Sequence, residues 1–306
     1  GLQTNFTDIT GLVRASHGSS VVFSRGSLQA SAPNSDNYNE SLVLDLNNNS
    51  SGFIGTFSES NQISATGHIN LSQGHLRAER ANLNISLFSE AGSIDARNSS
   101  LNSGDEHPVN ITSNSSVILR NSVSSFKNYS LQSNSSFYCN DSSLGQTNIN
   151  SSAATVKTDT CTASGNINLS TGSSAELRNA DFSDMSANLD GNSSINAYDS
   201  KIAIFHVRSN SDVSINQSEI TGNIAMGWGD DNIFIDSSSS VAINDSKIQG
   251  ITMVNNNGIL RFQNNASTSG LIVNCSNRSG VDYWTTPEQK SALIAGFAQY
   301  GCANNE

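Results

Sequence analysis

The stretch Asn114-Ser115-Ser116-Val117-Ile118-Leu119-Arg120-Asn121-Ser122 has a pattern that returns along most of the 306-residue chain. It recurs at 134–142 as Asn-Ser-Ser-Phe-Tyr-Cys-Asn-Asp-Ser and at 192–200 as Asn-Ser-Ser-Ile-Asn-Ala-Tyr-Asp-Ser. Further copies start at Asn210 and Ser238, and weaker ones start at Gly18, Gly172 and Asn257. The common form is Asn-Ser-Ser-Φ-x-Φ-x-Asn/Asp-Ser-x-Φ, where Φ is an apolar residue, so the chain is built from internal repeats.

The apolar positions of each copy are two residues apart, which is the spacing of a β-strand with one face turned inward. The Asn or Asp that follows accepts a left-handed backbone at modest cost and therefore predicts a tight corner. Another apolar residue then begins the next strand. The side chains expected inside the core are Val117, Leu119, Ile195, Val213, Ile215, Val241 and Ile243.

Copies start at positions 114, 134, 153, 172 and 192, so one repeat occupies 19 or 20 residues. This length is too short for a strand-plus-helix unit and matches one coil of a β-helix. We therefore predict an all-β, right-handed parallel β-helix of roughly 10 to 13 coils with a C-terminal helical cap. A left-handed β-helix would need a hexapeptide period, which is not found, and the sustained coil-length period disfavours an antiparallel sandwich.

The repeated Asn-Ser-Ser-Φ-x-Φ-x-Asn/Asp-Ser pattern resembles the coils of filamentous haemagglutinins and autotransporter passengers, which are secreted β-helical adhesins of bacteria. The resemblance extends over roughly residues 18 to 275 and lies in the pattern of the coils. It implies a secreted or cell-surface structural protein that displays loops for binding glycans or a protein partner.

Composition narrows the classes of partner. The chain has 15 Lys and Arg against 26 Asp and Glu, a net charge of -11, and no basic stripe, which argues against nucleic acid and anionic lipid. No apolar run approaches the roughly 18 residues of a membrane helix, so we expect no membrane insertion. We expect no cofactor, and neutral glycans or a cell-surface protein are the favoured partners, with end-to-end self-association left open.

The four cysteines show no spacing typical of zinc sites and favour disulfides, which indicate an oxidising, extracellular compartment. Cys275 lies in the final strands and Cys302 just after a C-terminal helix, so we expect them to pair. Cys139 and Cys161 are separated by about one coil and are a second candidate pair, although cysteine is also an ordinary core residue.

The predicted organisation is an N-terminal cap over 1–17, a β-helix over 18–280 and a helical cap over 281–306. The cap helix should begin with Thr286 as N-cap and Gln289 completing a capping box. It should end at Gly301. Its apolar stripe, expected to cover the last coil, consists of Leu293, Ile294, Phe297 and Tyr300.

The repeat breaks at three places, and extra residues there must leave the coil as loops that are frequent binding positions. The first break, 30–46, contains Tyr38, and the second, 102–110, contains Asp105-Glu106-His107, which we interpret as a solvated acidic loop, not a metal site. The third lies between the copies at 210 and 238 and contains Trp228, Asp230 and Asp231. A Trp beside two acids suits sugar binding, so these three residues and Tyr38 are the predicted ligand-binding residues.

Gly229-Asp230-Asp231 also resembles the acidic motif of polygalacturonases, and Asn188-Leu189-Asp190-Gly191 resembles that family's upstream motif. The resemblance implies a glycoside hydrolase using Asp230, Asp231 and Asp190 as paired carboxylates. The chain departs from that family by Leu189 in place of Thr and by the missing motifs after Asp231. We therefore interpret the loop as a recognition surface without catalytic residues, with a polysaccharide-active enzyme as the alternative.

His206 and Arg208 alternate with apolar residues and are expected to face outward from a strand as solvated surface. About twenty Asn-x-Ser/Thr sequons follow from the repeat itself. A phage tailspike-like receptor-binding protein is a second alternative, which the predicted C-terminal lid disfavours.

Overall fold

The structure is a computed structural model that describes residues 2–4, 8–33, 41–56, 63–103, 109–222, 231–248, 250–268 and 270–304. Within these ranges the side chains of 2–4, 231–232, 297 and 303–304 are outside the description. The chain is a parallel β-helix of about 12 turns with one short C-terminal helix, as predicted. It divides into two compact units, Gly1–Asn150 and Ser151–Glu306.

The strands of the first unit are β1 (Leu2–Thr4), β2 (Ile9–Thr10), β3 (Val13–Ala15), β4 (Ser20–Phe23), β5 (Ser27–Gln29), β6 (Leu42–Asn47), β7 (Ser51–Gly55), β8 (Ile63–Ser72), β9 (His75–Glu79), β10 (Ala81–Glu90), β11 (Ser93–Arg97), β12 (Ser100–Asn102), β13 (Val109–Thr112), β14 (Ser116–Arg120), β15 (Val123–Ser124), β16 (Asn128–Gln132), β17 (Ser136–Asn140) and β18 (Ser143–Ser152).

The elements of the second unit are β19 (Thr155–Asp159), β20 (Thr162–Ser170), β21 (Ser174–Arg178), β22 (Asp181–Leu189), β23 (Ser194–Tyr198), β24 (Lys201–Val207), β25 (Asp212–Asn216), β26 (Glu219–Ile220), β27 (Asp231–Ile235), β28 (Ser240–Asn244), β29 (Lys247–Ile248), β30 (Gly250–Val254), β31 (Ile259–Gln263), β32 (Leu271–Cys275), β33 (Gly280–Trp284), helix α1 (Pro287–Gly296), β34 (Phe297–Tyr300) and β35 (Ala303–Asn304).

Each coil contributes one strand to sheet A and one longer, bent segment to sheet B. In the first unit sheet A has the order β1-β4-β7-β9-β11-β14-β17, and in the second it has the order β19-β21-β23-β25-β28-β31-β33-β35. The segment of sheet B is one continuous strand in some coils, such as β8 and β10, and two short strands in others. The strand pairs of the described residues within each unit are parallel, so each coil repeats the strands of its neighbour.

The expected core residues are all inside: the seven apolar side chains predicted from the repeat are at most 2% exposed. The first unit's core contains an aromatic cluster in which the Tyr129 ring lies 4.9 Å from the Phe137 ring and 5.7 Å from the Phe126 ring, centroid to centroid. The Tyr129 hydroxyl is 2.6 Å from Ser124 Oγ, and burial raises the pKa of Tyr129. Even this polar atom is thus paired inside the coil.

The predicted corners are also present. Asn121, Asp141 and Asp199 have φ values of 47°, 46° and 48°, so each turns the chain in the left-handed region after its sheet A strand. The Asn that opens each copy is left-handed too, as at Asn134 with φ of 63°, and Ser133 before it has φ of 54°. Two successive left-handed residues at this turn were not predicted from the pattern.

At each of the three breaks of the repeat, the flanking described strands end and resume at the bend within the segment of sheet B. Residues 34–40 lie between β5 and β6, residues 104–108 between β12 and β13, and residues 223–230 between β26 and β27. Some continuous strands cross the same bend at a glycine, for example β8 at Gly67, whose φ is 134°. A Cβ at Gly67 would come within 2.7 Å of Ser41 O, so the bend leaves no room for a side chain there.

Strands are present in both of the predicted end regions. In the first unit β1 pairs with β4 and β3 pairs with β6, so residues before 18 already form a coil. In the second unit β34 pairs with β32 and β35 with β33, so residues after 280 complete a coil into which α1 is inserted.

The helix start was predicted correctly and its end was not. Gln289 N donates to Thr286 Oγ1 over 3.3 Å and Thr286 N donates to Gln289 Oε1 over 3.1 Å, which is a capping box. The helix ends at Gly296, not at Gly301, because residues 297–300 form β34 and take up the backbone bonds that β32 offers. The predicted apolar stripe is therefore wrong: Leu293 is buried in the helix, but Ile294 is 49% and Tyr300 60% exposed, and Phe297 and Tyr300 belong to β34.

The predicted C-terminal bridge is present, with Cys275 and Cys302 joined and their Cα atoms 4.7 Å apart. Cys139 and Cys161 are each disulfide-bonded as well, and no described cysteine is free. Disulfides agree with an oxidising environment. Among the described residues, no helix has the length and apolarity that crossing a bilayer requires.

Candidate functional site

A groove of about 650 Å³ lies on sheet B of the second unit, across three successive coils. It is formed by β20, β22 and β24, which are in register so that Asn168, Asn188 and His206 stand above one another. These residues face outward because their neighbours on each strand, such as Leu189 and Val207, point into the core. The groove therefore lies on the outer surface of sheet B and is lined by polar side chains that project from its strands.

The three outward residues form a continuous hydrogen-bonded row. Asn188 Nδ2 donates to Asn168 Oδ1 over 2.8 Å, and Asn188 Oδ1 lies 2.9 Å from His206 Nδ1, which donates to it. The Asn188 amide therefore donates to one neighbouring coil and accepts from the other, which fixes its orientation. The row presents amide and imidazole edges to whatever enters the groove.

The next coil closes the row with an aromatic ring. Phe234 on β27 is aligned with His206, and the two rings meet edge to face with centroids 6.3 Å apart. The guanidinium carbon of Arg208 lies 5.1 Å from the Phe234 centroid, a cation–π contact. One end of the row therefore combines an aromatic surface, a cation and an imidazole.

Two carboxylates line the groove, one within β22 and one just after its last residue. Asp184 is beside the bend and Asp190 is at the turn that follows the strand, where its Oδ1 accepts a hydrogen bond from Gly191 N over 2.8 Å. They are six positions apart along the chain, which corresponds to on the order of 15 to 20 Å of strand. Glycoside hydrolysis needs carboxylates about 5 to 10 Å apart, so these two do not form such a pair.

The structure leaves most of the predicted site residues outside its description. Tyr38, Trp228, Asp230 and the segment 105–107 lie outside the described residues, and Asp231 begins β27 with its side chain not described. Asp190 is described and lies in the groove. In the described part of the chain, no group of three or more His, Cys, Asp or Glu side chains is placed to hold a metal ion.

His206 and Arg208 face outward as predicted, but the sequence reasoning treated them as plain surface and assigned them no site. They could have been found by comparing the residues that precede the turn in successive coils. Aligned on that turn, Asn168, Asn188, His206 and Phe234 occupy the same place in four successive coils. The repeat pattern begins after that turn, and the residues of this column lie before it and differ from coil to coil, so the pattern does not reveal them.

The third break of the repeat is flanked by described residues that lie next to the groove. It connects Gly222, whose N–H donates to Ala203 O over 3.1 Å, to β27, the strand that carries Phe234. The chain therefore leaves and rejoins the wall on the coil next to His206.

Comparison of the chain with protein-family models, with curated proteins and with solved structures gives no match. The function must therefore be argued from the site itself.

Proposed function

We propose that this chain is a secreted or cell-surface β-helix protein that binds glycans in the groove of sheet B. The observation that supports this most is the ordered row Asn168–Asn188–His206 with the Phe234 ring at its end. Sugars present hydroxyl groups that both donate and accept, together with apolar C–H faces. Fixed amides and an imidazole suit the hydroxyls, and an aromatic ring suits the faces.

Charge supports a neutral or cationic ligand. The chain carries a net charge of -11, and the groove holds Asp184 and Asp190 against His206 and Arg208, so it has no excess of positive charge to attract an anion. Two disulfides are consistent with an extracellular location, where glycans are the accessible ligands.

The test is a glycan array probed with the intact chain and with Asn188→Ala. Removing this amide takes a donor from Asn168 and an acceptor from His206, so we expect the apparent Kd for the bound glycans to rise about tenfold. The melting temperature should stay nearly unchanged because the side chain is on the outer face. Asn148→Ala is the matched control, since Asn148 Nδ2 donates to Asn128 Oδ1 over 3.1 Å in a similar amide pair of the first unit.

Equal binding by wild type and Asn188→Ala would contradict the proposal, as would the absence of any glycan bound above background. Trp228→Ala extends the test to the loop and is expected to weaken binding without lowering the melting temperature. The enzyme alternative predicts instead that bound polysaccharide is cut and that Asp230→Asn stops the release of reducing ends. We expect no such loss with Asp230→Asn.

A further inference from the structure

A straight column of outward-facing side chains runs along sheet A of the second unit, away from the groove. Each of its members is the last residue of a sheet A strand, and the strand pairs align them one above another. The sheet A column consists of Arg178, Tyr198, Asn216, Asn244, Gln263 and Trp284. Near each end of the column an aromatic ring lies next to an arginine: Tyr198 at one end and Trp284 at the other.

The ring at the C-terminal end is held open to solvent. The guanidinium carbon of Arg261 lies 3.9 Å from the Trp284 centroid, and Arg261 Nε donates to Asp282 Oδ2 over 3.1 Å. Arg261 is thus fixed by an acid and supports one face of the indole. Trp284 nevertheless remains 57% exposed, so its other face is available.

The ring at the other end is built in the same way. The guanidinium carbon of Arg178 lies 5.5 Å from the Tyr198 centroid, and Arg178 Nε donates to Glu176 Oε1 over 2.7 Å. That hydrogen bond lowers the pKa of Glu176 and keeps the carboxylate charged. Tyr198 is 37% exposed. Two separate arginine–acid pairs therefore each support an exposed ring, and a side chain so held loses little freedom on binding.

Between the rings the column carries only neutral amides. Asn244 Nδ2 donates to Asn216 Oδ1 over 2.9 Å, and Gln263 follows Asn244 in register. The middle positions beside Asn216 and Asn244 are the small residues Ser214 and Ala242, which are paired in register. Four strand spacings of about 4.8 Å place the two rings about 19 Å apart.

We propose that the sheet A column binds an extended, neutral polysaccharide that lies along the axis of the β-helix. Sugar rings stack on Tyr198 and Trp284, and the hydroxyls between them bond to Asn216, Asn244 and Gln263. The absence of charged side chains from the three middle positions favours a neutral chain over a charged one. This surface is separate from the groove. A ligand of the column must be long enough to reach both rings, whereas a ligand of the groove must match the shape of the groove.

The test uses Trp228→Phe as the background, because the chain has two tryptophans and Trp284 is then its only one. Cellohexaose, chitohexaose and mannohexaose are titrated against the fluorescence of Trp284. At least one hexasaccharide should shift the emission, and the corresponding disaccharide should bind about tenfold more weakly or worse because it cannot reach both rings. Tyr198→Ala should raise the hexasaccharide Kd about tenfold, whereas Tyr198→Phe keeps the ring and should change it little.

Two controls separate this surface from others. Tyr300→Ala removes a ring that is 60% exposed but stands outside the column, and it should leave the titration unchanged. His206→Ala impairs the groove and should also leave it unchanged. The proposal is overturned if no hexasaccharide perturbs Trp284, if Tyr198→Ala has no more effect than Tyr300→Ala, or if His206→Ala abolishes the response.

Discussion

At the scale of single residues, buried serines account for the recurrence of this amino acid in the repeat. Ser200 follows the left-handed corner at Asp199 and is 2% exposed. Its Oγ donates to Tyr198 O over 2.7 Å and accepts a hydrogen bond from Ala180 N of the preceding coil over 3.1 Å. The hydroxyl therefore satisfies backbone groups in two coils, which an alanine cannot do.

We expect Ser200→Ala to lower the free energy of unfolding by about 1 to 3 kcal/mol, because the buried Ala180 N–H loses its acceptor. Urea denaturation followed by circular dichroism measures the change. Ser194→Ala is the control in the same coil, since this side chain faces outward and its loss should cost no more than about 0.5 kcal/mol. Equal effects of the two substitutions would show that the buried hydrogen bond contributes nothing.

At the scale of elements, the local sequence determines where the C-terminal helix begins, and the neighbouring strand determines where it ends. The capping box at Thr286 and Gln289 starts the helix as the sequence predicts. The apolar periodicity then continues past Gly296, yet the chain turns to a strand because β32 offers a full edge of backbone partners. The Cys275–Cys302 bridge then ties the end of β32 to the segment between β34 and β35.

The double substitution Cys275→Ser/Cys302→Ser should loosen β34 and β35 selectively. Opening a bridge between residues 27 apart costs about 2 to 4 kcal/mol. Hydrogen exchange resolved by segment should therefore speed up over Phe297–Tyr300, with little change in β25 or β28. Thr286→Ala removes the helix cap without touching the bridge and should speed exchange in the helix alone; faster exchange throughout the chain in the double variant would contradict this assignment.

At the scale of the whole molecule, stability comes from repeated contacts between neighbouring coils. Such a solenoid gains its stability from each coil and from each interface between coils, so coils are nearly interchangeable if their register is kept. In the first unit Ser93 pairs with Ser116 and Ser116 pairs with Ser136, so adjacent coils present the same residue at the start of the strand.

Deleting residues 116–135, which is one complete coil, should therefore leave a folded chain. Ser136 then stands where Ser116 stood, and we expect a cooperative melt at a somewhat lower temperature with the spectrum of β-structure retained. Deleting 116–125 removes only half a coil and places sheet A residues against sheet B. This variant should aggregate, and a soluble, cooperatively melting product from it would contradict the coil assignment.

Much of this protein was determined by its sequence alone. The two-residue spacing of apolar side chains, as at Val117 and Leu119, fixed which face is buried, and the Asn or Asp after each strand fixed the corners. The capping box at Thr286 and the spacing of Cys275 from Cys302 are likewise local features. They could be predicted because each depends on the conformation of a few adjacent residues.

Tertiary structure alone decided which side chains meet on the surface. Asn168, Asn188, His206 and Phe234 are far apart along the chain and belong to coils of unequal length, including one with the segment 223–230 inserted. Their alignment depends on the register that the stacked backbones adopt, which no local pattern contains. The end of helix α1 at Gly296 has the same origin, because the open edge of β32 offers hydrogen bonds that outweigh the helical tendency of the residues beyond it.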